Sequence, residues 1–585
     1  MSGLRPFIAE LKRRRVWRVV VVYAVTALAV VEAADLFFPR LALPEWSVTL
    51  VVVLSVLGFP IAVVLAWAFE TSPEGVRRTE AAPGDVALES ARRGVLFAAA
   101  AGIALVAGGG WWLLAASGGG SAPTIERIAV LPLSNLMDDP EQEYFVQGMH
   151  DRLISELQQA GIAVIARTSV LRYGAAGTPV REIARELGVD AVIEGSVFRA
   201  GDSVAIEARL VDGASEEYLW RESFGGSLRN VAALHRDLSR AIAEEIQAAL
   251  GPEEQARLSQ ARPVDPQAYE AYLKGLFHLQ RFNEADLNTA LEYFDAALEI
   301  DSTYAPAYVG IARVWGSRGQ SGLASPPEAR DKREPVLERA LALDSTLAEA
   351  HMAVATSRTW GDWDWEAGEE AFRRAIELNP GYADAHMFYG HLLTILGRWE
   401  EAAEQVESGR QLDPLNPFVQ GLYAVQRAMA RDYDDAIDVL EEMFRRNPGA
   451  GFGRVPLSGL YHLEGRYEEA LRKIRNEFEA RGERDVVAAL DRGYVEAGYC
   501  GALRLAAVAL AARAGDEADD EYVAPNRVAQ FYAMAGEVEK AVEWLEEAFE
   551  ARQGNMPYIG VIPIYEGLHD HPRFRELARR MNVPS

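Results

Sequence analysis

Hydrophobic and polar positions fall into three regimes along the 585 residues. In the first, Val16 to Phe38, Ser47 to Phe69 and Gly94 to Ala116 are almost wholly apolar. Each is long enough, as a helix, to cross a bilayer. The pattern predicts three transmembrane helices (16–38, 47–69, 94–116) in residues 1–120, with the loop PRLALPEW after the first and a polar linker, Glu70 to Arg93, before the third. In the second regime, residues 124–251, strand-like and helix-like runs alternate. ERIAVLPLSNL and IAVIAR read as strands, and EYFVQGMHDRLISELQQAG and VREIARELGV as helices. AVIEGSVFRAGDSVAIEARLVD reads as two strands turned at Ala200-Gly201-Asp202, and EEYLWRESF as a further strand. Val231 to Leu250 closes the segment as a helix, giving a small α/β domain. The third regime, residues 265–585, has helical periodicity throughout.

Within that third regime the pattern repeats. Trp365, Trp399, Tyr433 and Tyr467 are each 34 residues apart, and each is followed three positions later by a small residue: Gly368, Ala402, Ala436, Ala470. Pro380, Pro414 and Pro448 close the phrases AIELNP, GRQLDP and MFRRNP at the same interval. The small residue lets paired helices approach, and the Asn/Asp-Pro stops one helix and turns the chain into the next. These residues resemble a tetratricopeptide repeat. ALEYFDAALEIDSTYAPAY and LERALALDSTLAEAH extend it upstream around an insertion at GQSGLASPP, and GEVEKAVEWLEEAFEAR extends it downstream. About eight helix pairs run from Tyr269 to Arg552, closed by a cap helix at Pro572 to Met581. The fold class is therefore multidomain: three transmembrane helices, a small α/β domain, and an all-α superhelical solenoid.

Charge orients the membrane part. Lys12, Arg13, Arg14 and Arg15 precede the first apolar stretch and Arg18 lies at its start, Arg77, Arg78, Arg92 and Arg93 separate the second from the third, and the first loop holds only Arg40. The basic flanks face the cytoplasm. Three spans then place everything after Ser117 on the far side, periplasmic in a cell with two membranes, with Trp111 and Trp112 at the outer interface. Glu32 and Asp35 sit close to the loop and read as interfacial rather than as an ion path. Residues 1–120 carry eleven Lys/Arg against nine Asp/Glu, while the whole chain has a formal charge of −27. The excess acid thus lies beyond residue 120 and argues against nucleic acid as a partner. SGGGSAP, Ser117 to Pro123, is a flexible linker by composition.

The words IAVLPLSNL, EYFVQGMHDRLISEL, REIARELGVDAVIEGSVFRAGDSVAIEARLVD and LWRESF resemble the small α/β domain related to the N-terminal domain of TolB and to FlgO, often joined to tetratricopeptide repeats in bacterial membrane proteins. ELKRRRVWRVVVVYAV, LPEW and GFPIAVVLAWAFETSPEGVRR are similar to the membrane part of some of these proteins. The resemblance implies an envelope-associated, non-enzymatic sensing or assembly role in the bacterial inner membrane, and supplies no catalytic residues.

Catalytic motifs are absent from the sequence: there is no phosphate loop, HExxH, CxxC or Gly-x-Ser-x-Gly. No cofactor or metal is expected. GAGFG, Gly449 to Gly453, reads as a turn at a repeat junction, and His569 and His571 lack a third ligand nearby. Cys500, the single cysteine, is expected to be a buried small residue of a repeat. Trp360 and Trp363 read as core, with groove anchoring the alternative, and EADDE, Glu517 to Glu521, as solvated. Repeat stacks leave a concave face lined by the first helix of each pair. Placing the 34-residue units in register nominates His386, Tyr389, Gln420, Arg427, Arg454 and Tyr461 as partner-binding residues. The expectation is a membrane-anchored scaffold that binds a protein or peptide outside the cytoplasm. The alternatives are a cytoplasm-facing signalling scaffold and an enzyme using Asp138, Asp139, Glu141 and Glu143, acids more simply explained as favourable charge near a helix N-terminus.

Overall fold

The computed structural model describes residues 16–37, 51, 55, 58, 69–72, 75–78, 125–137, 139, 142–174, 177–246, 264–281, 283–320, 323–450, 453–514 and 523–583. It separates into two compact units, Met1–Thr124 and Ile125–Ser585.

In the first unit, helix α1 (Val16–Phe37) forms where the first apolar stretch predicts it. The Tyr23 hydroxyl donates to the Ser55 carbonyl at 2.7 Å, bringing the first and second apolar stretches together. The polar segment after them is not a plain linker. Phe69–Ser72 (β1) and Gly75–Arg78 (β2) pair antiparallel, so Phe69 ends the second apolar stretch as a strand residue. In sequence only Pro73 and Glu74 separate the two strands, and a proline at that place favours reversal over continuation. The rest of the expected second span and the whole of the third lie outside the described residues.

The second unit begins with a mixed sheet. Strands β3 (Arg127–Val130), β4 (Ser134–Asn135), β5 (Ala163–Val164), β6 (Ala191–Ala200), β7 (Ser203–Asp212) and β8 (Tyr218–Ser227) run in the order β5-β3-β6-β7-β8, with β4 also on β6. ERIAVLPLSNL divides into β3 and β4 because Pro132 between them has no N–H to give a ladder. The β6–β7 hairpin turns on Gly201 at φ +60°, with Ala200 opposite Ser203. Helices α2 (Glu143–Gln159), α3 (Arg167–Val170), α4 (Val180–Leu187) and α5 (Val231–Glu245) complete the α/β part. Phe145, Met149, Leu153 and Leu157 of α2 are fully buried with Ile128, Ile193 and Leu210 of the sheet.

The remainder is a stack of helix pairs: α6 (Pro266–Leu279) with α7 (Glu284–Ile300), α8 (Ala305–Gln320) with α9 (Pro326–Leu343), and α10 (Ala348–Thr356) with α11 (Trp365–Leu378). Next come α12 (Ala383–Ile395) with α13 (Trp399–Leu412), α14 (Pro417–Met429) with α15 (Tyr433–Arg446), and α16 (Arg454–Leu463) with α17 (Tyr467–Ala480). Helix α18 (Arg484–Ala514), then α19 (Pro525–Met534) with α20 (Val538–Glu550), and the cap α21 (Pro572–Arg580) complete the stack. The periodic small residues do what their size predicts: Ala402, Ala436 and Ala470 are fully buried. A wide turn of π-helix, Ser357–Asp362, carries Trp360 and ends on Trp363 at φ +60°.

Among the described residues, Arg484–Ala514 is the one helix long and apolar enough to cross a membrane. Its backbone breaks at Ala497 (φ −148°) and Gly498 (φ +66°), so it is two helices folded back on each other, a seventh repeat pair. Gly493 and Gly501 make that closeness possible, since a Cβ on Gly493 would meet the Gly501 carbonyl oxygen at 2.3 Å. Cys500 is exposed, not buried. Beside the break its neighbour Gly501 takes the inward position and turns the cysteine out.

Candidate interaction surface of the repeat array

The first helices of the pairs present a row of side chains toward the α/β part. Tyr269 and Leu273 of α6 join the buried cluster of that part, and Tyr272, Leu276 and Tyr304 pack against it. Farther along the row stand Arg313, Glu349 and Asp384. Tyr272 registers the shared environment: burial pushes its hydroxyl up to about 12, helped by Glu349 and opposed by Arg313 and Arg152. Burial also raises Asp384, with Arg313 opposing.

Much of this face is therefore occupied by the chain itself. On α6, Glu270 accepts from Tyr144 at 2.9 Å and from Arg199 at 2.9 Å, while Lys274 pairs with it at 3.1 Å. Gln280 donates to Asp151 at 2.9 Å, and Arg167 pairs with the same carboxylate. Burial pushes Asp151 up to about 6, against the pull of Arg167. Gly148 admits Leu273, and Gly381 admits Gln158; a Cβ at either would come within 2.5 Å of those side chains.

A second contact lies at the turn between α13 and α14. The Asp413 carboxylate, 3% exposed, accepts from the Ser169 backbone amide at 3.1 Å, the Ser169 hydroxyl at 2.6 Å and the Asn416 side-chain amide at 2.7 Å. The Ser169 hydroxyl in turn accepts from the Leu415 amide at 2.8 Å, and the Ala166 amide donates to the Leu412 carbonyl at 2.7 Å. Asp413 thus caps, from a distant repeat, the first turn of α3, whose own N-cap residue Ala166 has no side chain able to do so. Burial pushes this carboxyl up to about 6, with the Ser169 and Asn416 donors pulling it back.

The C-terminal segment closes on the middle repeats. Trp365 donates its indole N–H to the Met581 carbonyl at 3.1 Å, the His391 ring meets Tyr558 edge-on at 5.8 Å, and Arg431 donates to the Val561 carbonyl at 3.1 Å. Trp363 lies 5.2 Å from Phe549 with Arg552 over its face, and Trp360 packs edge-on against Phe372 and Phe388. Both tryptophans pack on the core.

Against this background the six nominated residues are placed as follows. Tyr389 is buried, its hydroxyl held by Arg373 and Glu369. Tyr461 is buried, donates to Glu441 at 2.6 Å and lies under Arg466. His386 is half-buried between Gln405 and the Pro380 carbonyl, Gln420 reaches the Pro414 carbonyl, and Arg427 pairs with Asp432 and Asp435. The Arg454 side chain lies outside what the structure describes. The register places these positions on α12, α14 and α16, where His386, Gln420 and Arg427 bond within their own pair or its entry turn, while Tyr389 and Tyr461 reach back to α11 and α15 of the preceding pair. The row that faces the α/β part was not nominated, and its signal in the sequence, charged or aromatic residues at Tyr269, Tyr304, Glu349 and Asp384, is legible only once the facing partner is known.

The other chemistry-bearing residues have local partners. His571 pairs with Glu539 at 3.1 Å and His569 stacks on Phe574, while Gly453 at φ +98° starts α16. Among the described residues no cluster of His, Cys, Asp or Glu is arranged to hold a metal.

No protein-family profile matches the chain. It is 30% identical over 247 residues to "Putative adenylate cyclase 3" of Rhizobium meliloti (strain 1021), covering 41% of each protein. It is 23% identical over 297 residues to "Transcriptional regulator HilA" of Salmonella typhimurium, covering 50% of this chain and 52% of that one. The chain thus spans about two fifths to half the length of these curated relatives. Among solved structures it is similar to a thermophilic TPR protein of Thermus thermophilus, at 16% identity and a TM-score of 0.28, over 33% of this chain and 98% of that one. The periodic helix pairs described above, packed through small residues, are tetratricopeptide-like.

Proposed function

We propose that this chain is a membrane-anchored, non-enzymatic scaffold whose repeat array takes a protein or peptide partner on the extracytoplasmic side. The observation that carries the reading is the stack of helix pairs, bound at one end to an α/β part and at the other to its own cap. Such stacks act by presenting an extended surface. Anchoring rests on the sequence, where the apolar run 16–38 follows a basic run; among the described residues this run forms helix α1, of which Val22–Val31 is the apolar part, and the Tyr23 to Ser55 bond ties it to the second apolar stretch. The distribution of Lys and Arg favours the outward orientation, and the sequence resemblance favours a TolB/FlgO-like identity for the α/β part. His386, Gln420 and Arg427, only half-buried, are the positions of the nominated set that a partner reaches with the least rearrangement.

Photo-crosslinkers placed singly at these three positions in the full-length protein, in membranes of cells that express it, test the partner claim. One and the same protein captured from all three supports it; crosslinks confined to the chain's own residues contradict it.

The two curated relatives favour a second reading. They bear names of a cyclase and a transcriptional regulator, so a cytoplasm-facing signalling scaffold is the alternative, distinguished by which side of the membrane the array occupies.

A further inference from the structure

The buried clusters divide the second unit into two blocks. In the first, α6 belongs to two clusters at once. Tyr269 and Leu273 are buried with the α/β part, while Tyr272 and Leu276 also pack on Leu279, Leu287, Phe294, Ile311 and Val314 of the first two repeats. In the second block a large cluster ties α10–α12 to α17–α21, and two smaller ones fill the repeats between. The joint between blocks is thin. Its buried apolar residues are Val309, Ala340 and Ala350, braced by the Arg330–Asp362 ion pair at 3.2 Å. The nine-residue insertion of the second repeat and the π-turn of the third flank this joint.

On the far side of the α/β part the blocks meet again, through different chemistry. There the contacts include Asp413 with Ser169, Ala166 with Leu412, Arg127 with Gln411 at 3.1 Å, Arg446 with Glu186 at 3.4 Å, the Gln158 side chain packed on Gly381, and Leu415 as an apolar residue resting on the first block. Polar contacts of this kind exchange for water at little net cost, whereas separating an apolar core does not.

We propose that the second unit is a hinged clamp: the block built on the α/β part and the first two repeats swings about the joint between α9 and α10, and the Asp413–Ser169 contact is the latch that holds it shut. Opening separates Arg313 of the first block, exposed already in the closed form, from the half-buried Glu349 and Asp384 of the second. The motion belongs to the chain alone and holds whether or not the array takes a partner. Hinges of this type use a few residues at element ends, and regions with few buried apolar contacts open first.

The full-length protein with Cys500→Ser tests this by hydrogen exchange. Asp413→Ala is expected to speed exchange of the Ala166, Ser169 and Leu415 amides at least tenfold while leaving the β6–β7 ladder and α19–α20 unchanged. Equal loss of protection in both blocks overturns the clamp, because the contact is then part of one core. A second variant, Ala166→Cys with Leu412→Cys, keeps Asp413 and locks the latch by oxidation. The oxidised form is expected to slow exchange around Asp344 to His351 at the joint, and reductant to restore it. Identical exchange in the two forms, or failure of the cysteines to join, overturns the proposal.

Discussion

Asp413 shows how much one side chain does when one of its partners, Ser169, lies 244 residues away. It belongs to a helix-stopping Asp-Pro phrase, and the same carboxylate caps a helix of another part of the chain. Its buried position also makes it a proton acceptor at mild acidity. Asp413 and Asp151, both raised to about 6 by burial, contribute stability that is full below about pH 4 and lost as pH rises through 6. His150, His235 and His391 run the other way. Burial drives each down to about 4, so their contribution is full above about pH 6.5 and is lost as pH falls toward 4. The three histidines outweigh the raised carboxylates Asp413, Asp151 and Asp384, and the urea midpoint is expected to be lower at pH 5 than at pH 7. His235→Leu should shrink that difference, and equal midpoints in the parent protein would contradict the assignment. Gly493 gives a purely steric test. Gly493→Val drives a side chain into the Gly501 backbone and should cost about 1–3 kcal/mol or more in urea unfolding; no change would mean the two halves of α18 are not in contact.

At the scale of elements, repeat proteins are treated as chains of nearest neighbours. This array departs from that, because the cap reaches back to the third repeat through Trp365 and Met581, 216 residues apart. Phe574→Ala in α21, a fully buried ring, is expected to cost about 3–5 kcal/mol. Hydrogen exchange should show the loss around Met352 to Phe372 as well as in α20. Loosening restricted to α20 and α21 would restore the nearest-neighbour picture. The element boundaries themselves were largely legible, because the 34-residue period of aromatic, small and proline positions dictates where paired helices start, touch and stop. The Ala200-Gly201-Asp202 turn was legible for the same local reason. The hairpin at Phe69–Arg78 was missed because each strand is only four residues long and the segment is polar apart from Phe69 and Val76, so it shows no alternating pattern despite the turn signal of Pro73. Cys500 was misplaced because a two-residue break inside α18 rotates the following helix, which periodicity alone does not reveal.

At the scale of the whole molecule, the sequence describes the parts better than their engagement. Period and composition specify which helices are neighbours along the chain; they do not specify that α2 and α3 lie against α6 and the α13–α14 turn. That contact involves the row ending at Glu349 and Asp384, whereas His386, Gln420 and Arg427 bond locally and Tyr389 and Tyr461 tie their helices to the preceding pair. It also bears on the scaffold reading, since a partner meets an array that already holds part of its own chain. The central claim is that this array stands outside the cytoplasm. Paired fusions at Ser121, one to alkaline phosphatase and one to a fluorescent protein that matures chiefly in the cytoplasm, test it most directly. The account predicts phosphatase activity without fluorescence. Fluorescence without phosphatase activity would contradict it and make the cytoplasmic signalling scaffold the better reading.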